Sequence, residues 1–183
     1  MADAYYGNYV HLQLISMPVT SRTRRASTRD ARVLGDPLTP GFRIDDSPFY
    51  LLARAYGRYT HAMEDSLRAI GMDLPRWRVL MLVHEKNPSS VSEIADRAVL
   101  RLSTMTRVAQ RLAADGLVRL AARKADGRIT DVFITARGRA AVRQVRIVAS
   151  RIYNRAFEEF EPQEIADLTR VLRRVFGNLA ADS

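Results

Sequence analysis

The stretch from Ser90 to Arg128, SVSEIADRAVLRLSTMTRVAQRLAADGLVRLAARKADGR, decides the fold. It opens on Ser90 with Glu93 three residues later, a capping box in which the two side chains satisfy backbone N–H groups reciprocally. Val91, Ile94, Ala95 and Ala98 then recur at the spacing of one helix face, so a short amphipathic helix is expected. A brief break at Val99–Leu102 leads to Ser103, read as a fresh N-cap. The following helix turns Met105, Val108, Ala109 and Leu112 inward, and Gly116 suits the position just past its end. Leu117–Arg123 reads as a strand with Val118 and Leu120 on one face, and Ile129–Thr135 returns with Val132 and Ile134 on that face. Between them, Lys124-Ala125-Asp126-Gly127 reads as a turn built on Asp-Gly, the strongest short hairpin signal. Helix, tight turn, helix and hairpin, in that order, spell a winged helix-turn-helix.

Longer helices flank this module. Upstream, Leu52, Tyr56, Tyr59, Met63, Leu67 and Ile70 step by three or four from a start near Pro48, and Gly71 ends that helix. Asp73 then caps a second helix holding Pro75, Trp77, Leu80, Met81 and Val83. Downstream, Thr135 caps a long helix expected to run to about Phe160, with Val142, Val145, Ala149, Ile152, Ala156 and Phe160 as its stripe. Glu161-Pro162 breaks it. A final helix carries Ile165, Leu168, Leu172, Val175, Phe176 and Leu179. The expected fold class is therefore mainly α with a small β-hairpin wing. Residues 73–135 form the winged helix-turn-helix, and residues 47–71 and 136–180 form a helical dimerisation region. Residues 1–46 differ in composition and read as a flexible basic arm carrying Arg22, Arg24, Arg25, Arg29 and Arg32.

The chemistry points to a polyanion. The chain has 183 residues and a formal net charge of +9, with a pI near 10.6. Almost all of that positive charge is arginine, whose planar fork suits phosphate oxygens and guanine edges. The outward face of the second short helix offers Ser103, Thr104, Thr106, Arg107, Gln110 and Arg111. Hydroxyls near a helix start can bond phosphates, threonine methyls can pack on thymine, and Arg107 or Arg111 can grip guanine O6 and N7. The hairpin adds Arg123, Lys124 and Arg128, beside Arg119. Asp126, two residues before Arg128, can hold that arginine extended for entry into a minor groove.

Other classes find little support. There are no cysteines, so disulfides, thiolate metal sites and thiol catalysis are excluded. His11, His61 and His84 are scattered without metal spacing, and no phosphate-binding glycine motif occurs. An enzyme and a cofactor are therefore not expected. No apolar run approaches the ~20 residues of a membrane span, and a cytoplasmic location is expected. A packaging or protein-contact winged helix is the alternative reading. It would bind all DNA alike through phosphates alone, whereas the Thr–Arg face has base-reading groups to offer.

These residues resemble the MarR (multiple antibiotic resistance regulator) family. The resemblance rests on Leu74-Pro75-Arg76-Trp77-Arg78-Val79-Leu80, Val91-Ser92-Glu93-Ile94-Ala95, Ser103-Thr104-Met105-Thr106-Arg107 through Leu112, Gly116-Leu117-Val118, Asp126-Gly127-Arg128 and Ile134-Thr135-Ala136-Arg137-Gly138. It spans about Ser47 to Leu179. Two positions depart from the family pattern: the usual turn glycine is replaced near Val99, and an acidic cap before the recognition helix is Arg101. The resemblance implies a homodimer interlocked through its first, fifth and sixth helices, palindromic operator DNA, and usually repression. It casts Asp126 and Arg128 as the wing pair. It also implies relief by a small aromatic or phenolic acid, bound where the first, second and fifth helices meet the DNA lobe. There, Arg54 and His61 are the expected carboxylate clamp, with Tyr50, Trp77 and Met81 as walls.

Overall fold

The computed structural model describes residues 35–180. The basic arm expected over residues 1–46 therefore lies largely outside the described residues. Two compact units divide between Tyr50 and Leu51. The first ends in a 3-10 turn, Ile44–Asp46, and the start of helix α1 (Pro48–Arg68). The second holds the rest of α1, followed by α2 (Leu74–Glu85), β1 (Ser89–Ser90), α3 (Val91–Ala98), α4 (Leu102–Ala114), β2 (Val118–Arg123), β3 (Asp126–Ile134), α5 (Ala136–Ala156) and α6 (Pro162–Ala180).

Local signals close these helices as their sequences demand. Met72 and Gly71 donate back to the carbonyls of Leu67 and Arg68, a Schellman ending with Gly71 at φ +68°. Asp73 caps α2 by accepting from the Arg76 N–H at 2.9 Å. The capping box of α3 is complete: Ser90 accepts from the Glu93 N–H at 3.2 Å, and Glu93 accepts from the Ser90 N–H at 2.7 Å. The Lys86 ammonium first, then the Ser90 N–H and hydroxyl, hold the Glu93 carboxyl down to a pKa of about 2. Leu117 and Gly116 repeat the Schellman ending on the Leu112 and Ala113 carbonyls, with Gly116 at φ +70°. Thr135 caps α5 by accepting from the Gly138 N–H at 3.0 Å.

Four expectations are corrected. The recognition helix α4 begins at Leu102 with Arg101 as its N-cap and no side-chain capping bond. The Met105 N–H already bonds to the Arg101 carbonyl at 3.0 Å, which places Ser103 inside the first turn instead of before it. The hairpin tip is Lys124-Ala125, because Arg123 pairs with Asp126. Asp126-Gly127 belongs to β3, since the Asp126 carboxylate accepts from the Arg128 N–H at 3.1 Å and the register slips between Ala122 and Arg123. The long helix α5 stops at Ala156, not near Phe160. Glu161 precedes a proline and is disfavoured in helical backbone. The intervening turn is filled by Tyr153, Phe157 and Phe160, whose rings pack at 4.9 and 5.4 Å. Last, Ser89–Ser90 adds a short third strand, giving the antiparallel order β1-β3-β2.

The core sits between the helix-turn-helix and the inner faces of the sheet and α5. Leu74, Leu80, Ile94, Met105, Leu112, Val132, Val142 and Val145 are all buried in it. Val99, near which the resemblance implies a glycine, takes left-handed backbone at φ 53° and ψ 47°. That conformation costs a β-branched residue about 1–2 kcal/mol, and it is what turns the chain from α3 into α4. Helix α6 buries no residue within the protomer.

Candidate nucleic-acid interface

The recognition helix presents two faces of opposite character. Met105, Val108, Ala109 and Leu112 are buried, which fixes the roll of α4 against the core. Ser103, Arg107, Gln110 and Arg111 are consequently exposed, and Thr104 and Thr106 lie half-buried at the edges. Thr106 donates its hydroxyl hydrogen to the Leu102 carbonyl at 2.9 Å, which leaves its methyl group as the outward chemistry.

The wing lies beside this face. Val118 faces Ile134 and Leu120 faces Val132, so the hairpin root is pinned to the core by its apolar side. At the tip, Lys124 is exposed. The Arg128 side chain is 91% exposed, yet it is held by Asp126 through Nε at 3.1 Å and a terminal nitrogen at 3.3 Å. The hydrogen bonds from the Arg128 side chain, then its backbone, hold the Asp126 carboxyl below its ordinary range. The acid thus stays ionised, and the arginine is pre-ordered with its remaining donors facing out. A cleft of about 310 Å³ runs between α4 and the wing, lined by Leu102, Thr106, Gln110, Arg128, Ile129 and Thr130. It brings residues of the recognition helix and the wing around one concave surface.

Two of the expected contact arginines are engaged within the fold. Arg111 donates to Asp73 at 3.0 Å. Asp73 also receives Arg76 Nε at 3.0 Å, and Arg76 reaches Asp115 at 2.5 Å and the Gly71 carbonyl at 3.0 Å. This cluster ties the start of α2 to the end of α4. Arg123 is folded onto Asp131 across the sheet, with Nε 3.1 and 3.2 Å from the carboxylate oxygens and a terminal nitrogen at 2.7 Å. Sequence reasoning gave no role to Arg76, Asp115 or Asp131; the Asp73–Arg76 pair is local, three residues apart, whereas the partners of Asp115 and Asp131 are not marked by any spacing. Arg119 lies over the Phe133 ring at 4.2 Å.

The expected effector residues lie on α1 and α2. Arg54 and His61 are exposed on α1, and the His61 imidazole lies 3.6 Å from Asp65. Tyr50 belongs to the first unit. Trp77 and Met81 are half-buried and pack against the core. The indole N–H of Trp77 is buried with no acceptor among the described residues, an uncommon state for a polar group. The next residue, Arg78, donates to the Tyr56 hydroxyl at 2.7 Å, a pair that the sequence reading did not include. Burial raises the Tyr59 hydroxyl above its ordinary pKa, against the opposing charge of Arg78.

Comparison with known proteins places this geometry in a family. The MarR family profile matches residues 70–129, which span α2, the helix-turn-helix and the wing tip. The repressor IacR of Pseudomonas putida is 42% identical over 144 residues, covering 79% of this chain and 86% of the relative. A MarR-family regulator from Silicibacter pomeroyi has the same fold at a TM-score of 0.68 and 26% identity, over 74% of this chain and 92% of that one. BpsR of Bordetella bronchiseptica, whose DNA binding is regulated by 6-hydroxynicotinic acid, shares the fold at a TM-score of 0.68 and 23% identity, over 74% of this chain and 97% of that one. With one face of its helix-turn-helix packed on the core and the other exposed, its ordered wing arginine and a relative matched over 86% of its length, the chain belongs to the MarR family of DNA-binding transcriptional regulators.

Proposed function

We propose that the protein is a homodimeric, sequence-reading repressor of a palindromic operator, relieved by a small aromatic or phenolic acid. The observation that carries the DNA reading is the juxtaposition of an exposed Thr–Gln–Arg recognition face with a wing arginine pre-ordered by Asp126. In this reading α4 enters the major groove through Ser103, Thr104, Thr106, Arg107 and Gln110, with Arg111 at its far end. Lys124 and Arg128 reach the flanking groove. Repression is the role carried in the name of the 42% identical relative. The dimer is supported by the unburied apolar stripe of α6.

Fluorescence anisotropy with duplex DNA from upstream of the protein's own gene tests this reading. At ~150 mM salt, specific binding should exceed binding to scrambled duplex by roughly 10³ or more. Arg107→Ala should cut that preference by roughly ten- to a hundredfold, the worth of one bidentate base contact, while leaving scrambled DNA bound nearly as before. Equal affinity for the two duplexes in the wild type would instead favour the packaging reading.

The effector part rests on the groups around the first two helices. Arg54 and His61 supply cationic donors on α1, and Trp77 and Met81 supply apolar walls. The orphaned indole N–H of Trp77 adds a donor suited to a polar ligand atom. Benzoate-like acids added to the protein–operator complex should release the DNA. Arg54→Ala should retain operator binding and lose most of that response; an unchanged response removes Arg54 from the site.

A further inference from the structure

Asp131 is a carboxylate in an expensive place. It lies on the central strand β3, opposite Ser90 on one side and Ala121 on the other, and is 7% exposed. A buried carboxylate persists in a sheet only when its charge and hydrogen-bonding capacity are matched. Arg123 supplies that match through the forked contacts described above. The same guanidinium lies 3.9 Å from Glu93, whose other oxygen holds Lys86 at 2.7 Å. One string of charges therefore joins the end of α2, the capping box of α3 and both strands of the wing. Arg123 is also where the ladder loses register; beyond Ala122↔Thr130, only the Arg123↔Asp126 pair holds the tip. Lys124, Asp126 and Arg128 all hang from this point.

We propose that Asp131 and Arg123 are positioning residues for DNA binding, locking the outer half of the wing to the start of α3 so that the tip presents Arg128 at a fixed angle to the recognition helix. The proposal rests on the DNA-reading function above and gives Arg123 a role other than direct contact. The Arg123 fork is turned inward onto the carboxylate and its side chain is 38% exposed, against 91% for Arg128, so it is poorly placed to meet a phosphate. Its loss acts through the pose of Arg128, since a wing that swings freely must be ordered again at each binding event.

Asp131→Asn keeps the side chain's size and removes its charge. In the free protein, hydrogen exchange across residues 121–131 should accelerate by about tenfold while α4 and α5 stay protected. Binding to the upstream duplex should weaken by about tenfold, and Asp131→Asn with Arg128→Ala should bind no more weakly than Arg128→Ala alone. Arg123→Lys, which keeps the charge but cannot fork, should behave like Asp131→Asn. Unchanged exchange in the wing overturns the proposal. So does Asp131→Asn binding DNA as tightly as, or more tightly than, the wild type while Arg123→Ala lowers the salt slope by about 0.9; that pattern marks Arg123 as a direct phosphate contact. The exchange arm uses free protein, so a wild-type chain without preference for its upstream DNA would overturn the specificity reading and leave this one standing.

Discussion

Replacing Gly138 by alanine is expected to destabilise the protein by about 3 kcal/mol or more. Helix propensity alone predicts the opposite sign, since alanine is favoured over glycine inside a helix by about 1 kcal/mol. The surroundings reverse it. A Cβ at Gly138 would stand 2.0 Å from the Leu117 carbonyl oxygen and 2.9 Å from Ile134 Cγ1. The first of these is backbone, and it cannot turn away. The Leu117 carbonyl already accepts from the Thr135 N–H at 3.1 Å and from the Thr135 hydroxyl at 3.0 Å. The Gly138 N–H donates to that same hydroxyl oxygen at 3.0 Å. Relieving the clash by lifting α5 therefore breaks the cap that starts it and separates the helix from the wing root. Urea unfolding checks the outcome, with Gly57→Ala as the comparison because nothing lies within 4 Å of the Cβ there. Gly57→Ala should leave stability unchanged or raise it slightly. A Gly138→Ala protein as stable as the wild type would mean that the α5–β2 junction yields far more readily than its bonding implies.

The same junction illustrates what could be read in the sequence. The Thr135 cap, the Ser90–Glu93 box, the Asp73 cap and the glycine endings at Gly71 and Gly116 are all encoded within five residues, and each lies where its signal predicted. The apolar stripe of α4 was equally local, so the outward face followed from it by geometry. Features that depend on a distant partner were not legible. Strand β1 is two residues long, and its pairing is with Asp131 and Val132 some forty positions away. Asp-Gly is a strong turn signal, yet here the Asp126 side chain is occupied by Arg128 and the register slip moves the tip to Lys124-Ala125. Arg111 and Arg123 are chemically indistinguishable in sequence from Arg107 and Arg128. Only the fold reveals that Asp73, 38 residues from Arg111, and Asp131, eight residues from Arg123, claim the first pair.

Leu172→Glu combined with Phe176→Glu is expected to convert a dimer into a folded monomer and to lower operator affinity by roughly 10³ or more. On α6, Leu168, Leu172, Phe176 and Leu179 are 43%, 38%, 61% and 60% exposed, and they recur at helical spacing on one face. A continuous apolar stripe on a 19-residue helix that buries nothing in its own protomer needs another surface. In the proposed homodimer a second copy of the chain supplies it with two-fold symmetry. That symmetry also matters to DNA binding. One recognition helix covers a single half-site, whereas two held about 34 Å apart engage successive turns of one groove face. The second contact is then made at high effective concentration, so losing the dimer forfeits nearly all of the gain. Neither substituted side chain belongs to the buried core. The variant's helix content and the unfolding of its winged module should therefore persist. Light scattering coupled to gel filtration reads the mass, and anisotropy with the upstream duplex reads the affinity. The single variant Phe176→Ser should show the same two changes to a lesser degree. A charged variant that remains dimeric would move the interface off this stripe. A monomer that still binds its operator with wild-type affinity would show that each wing and recognition helix reads DNA without its symmetry mate.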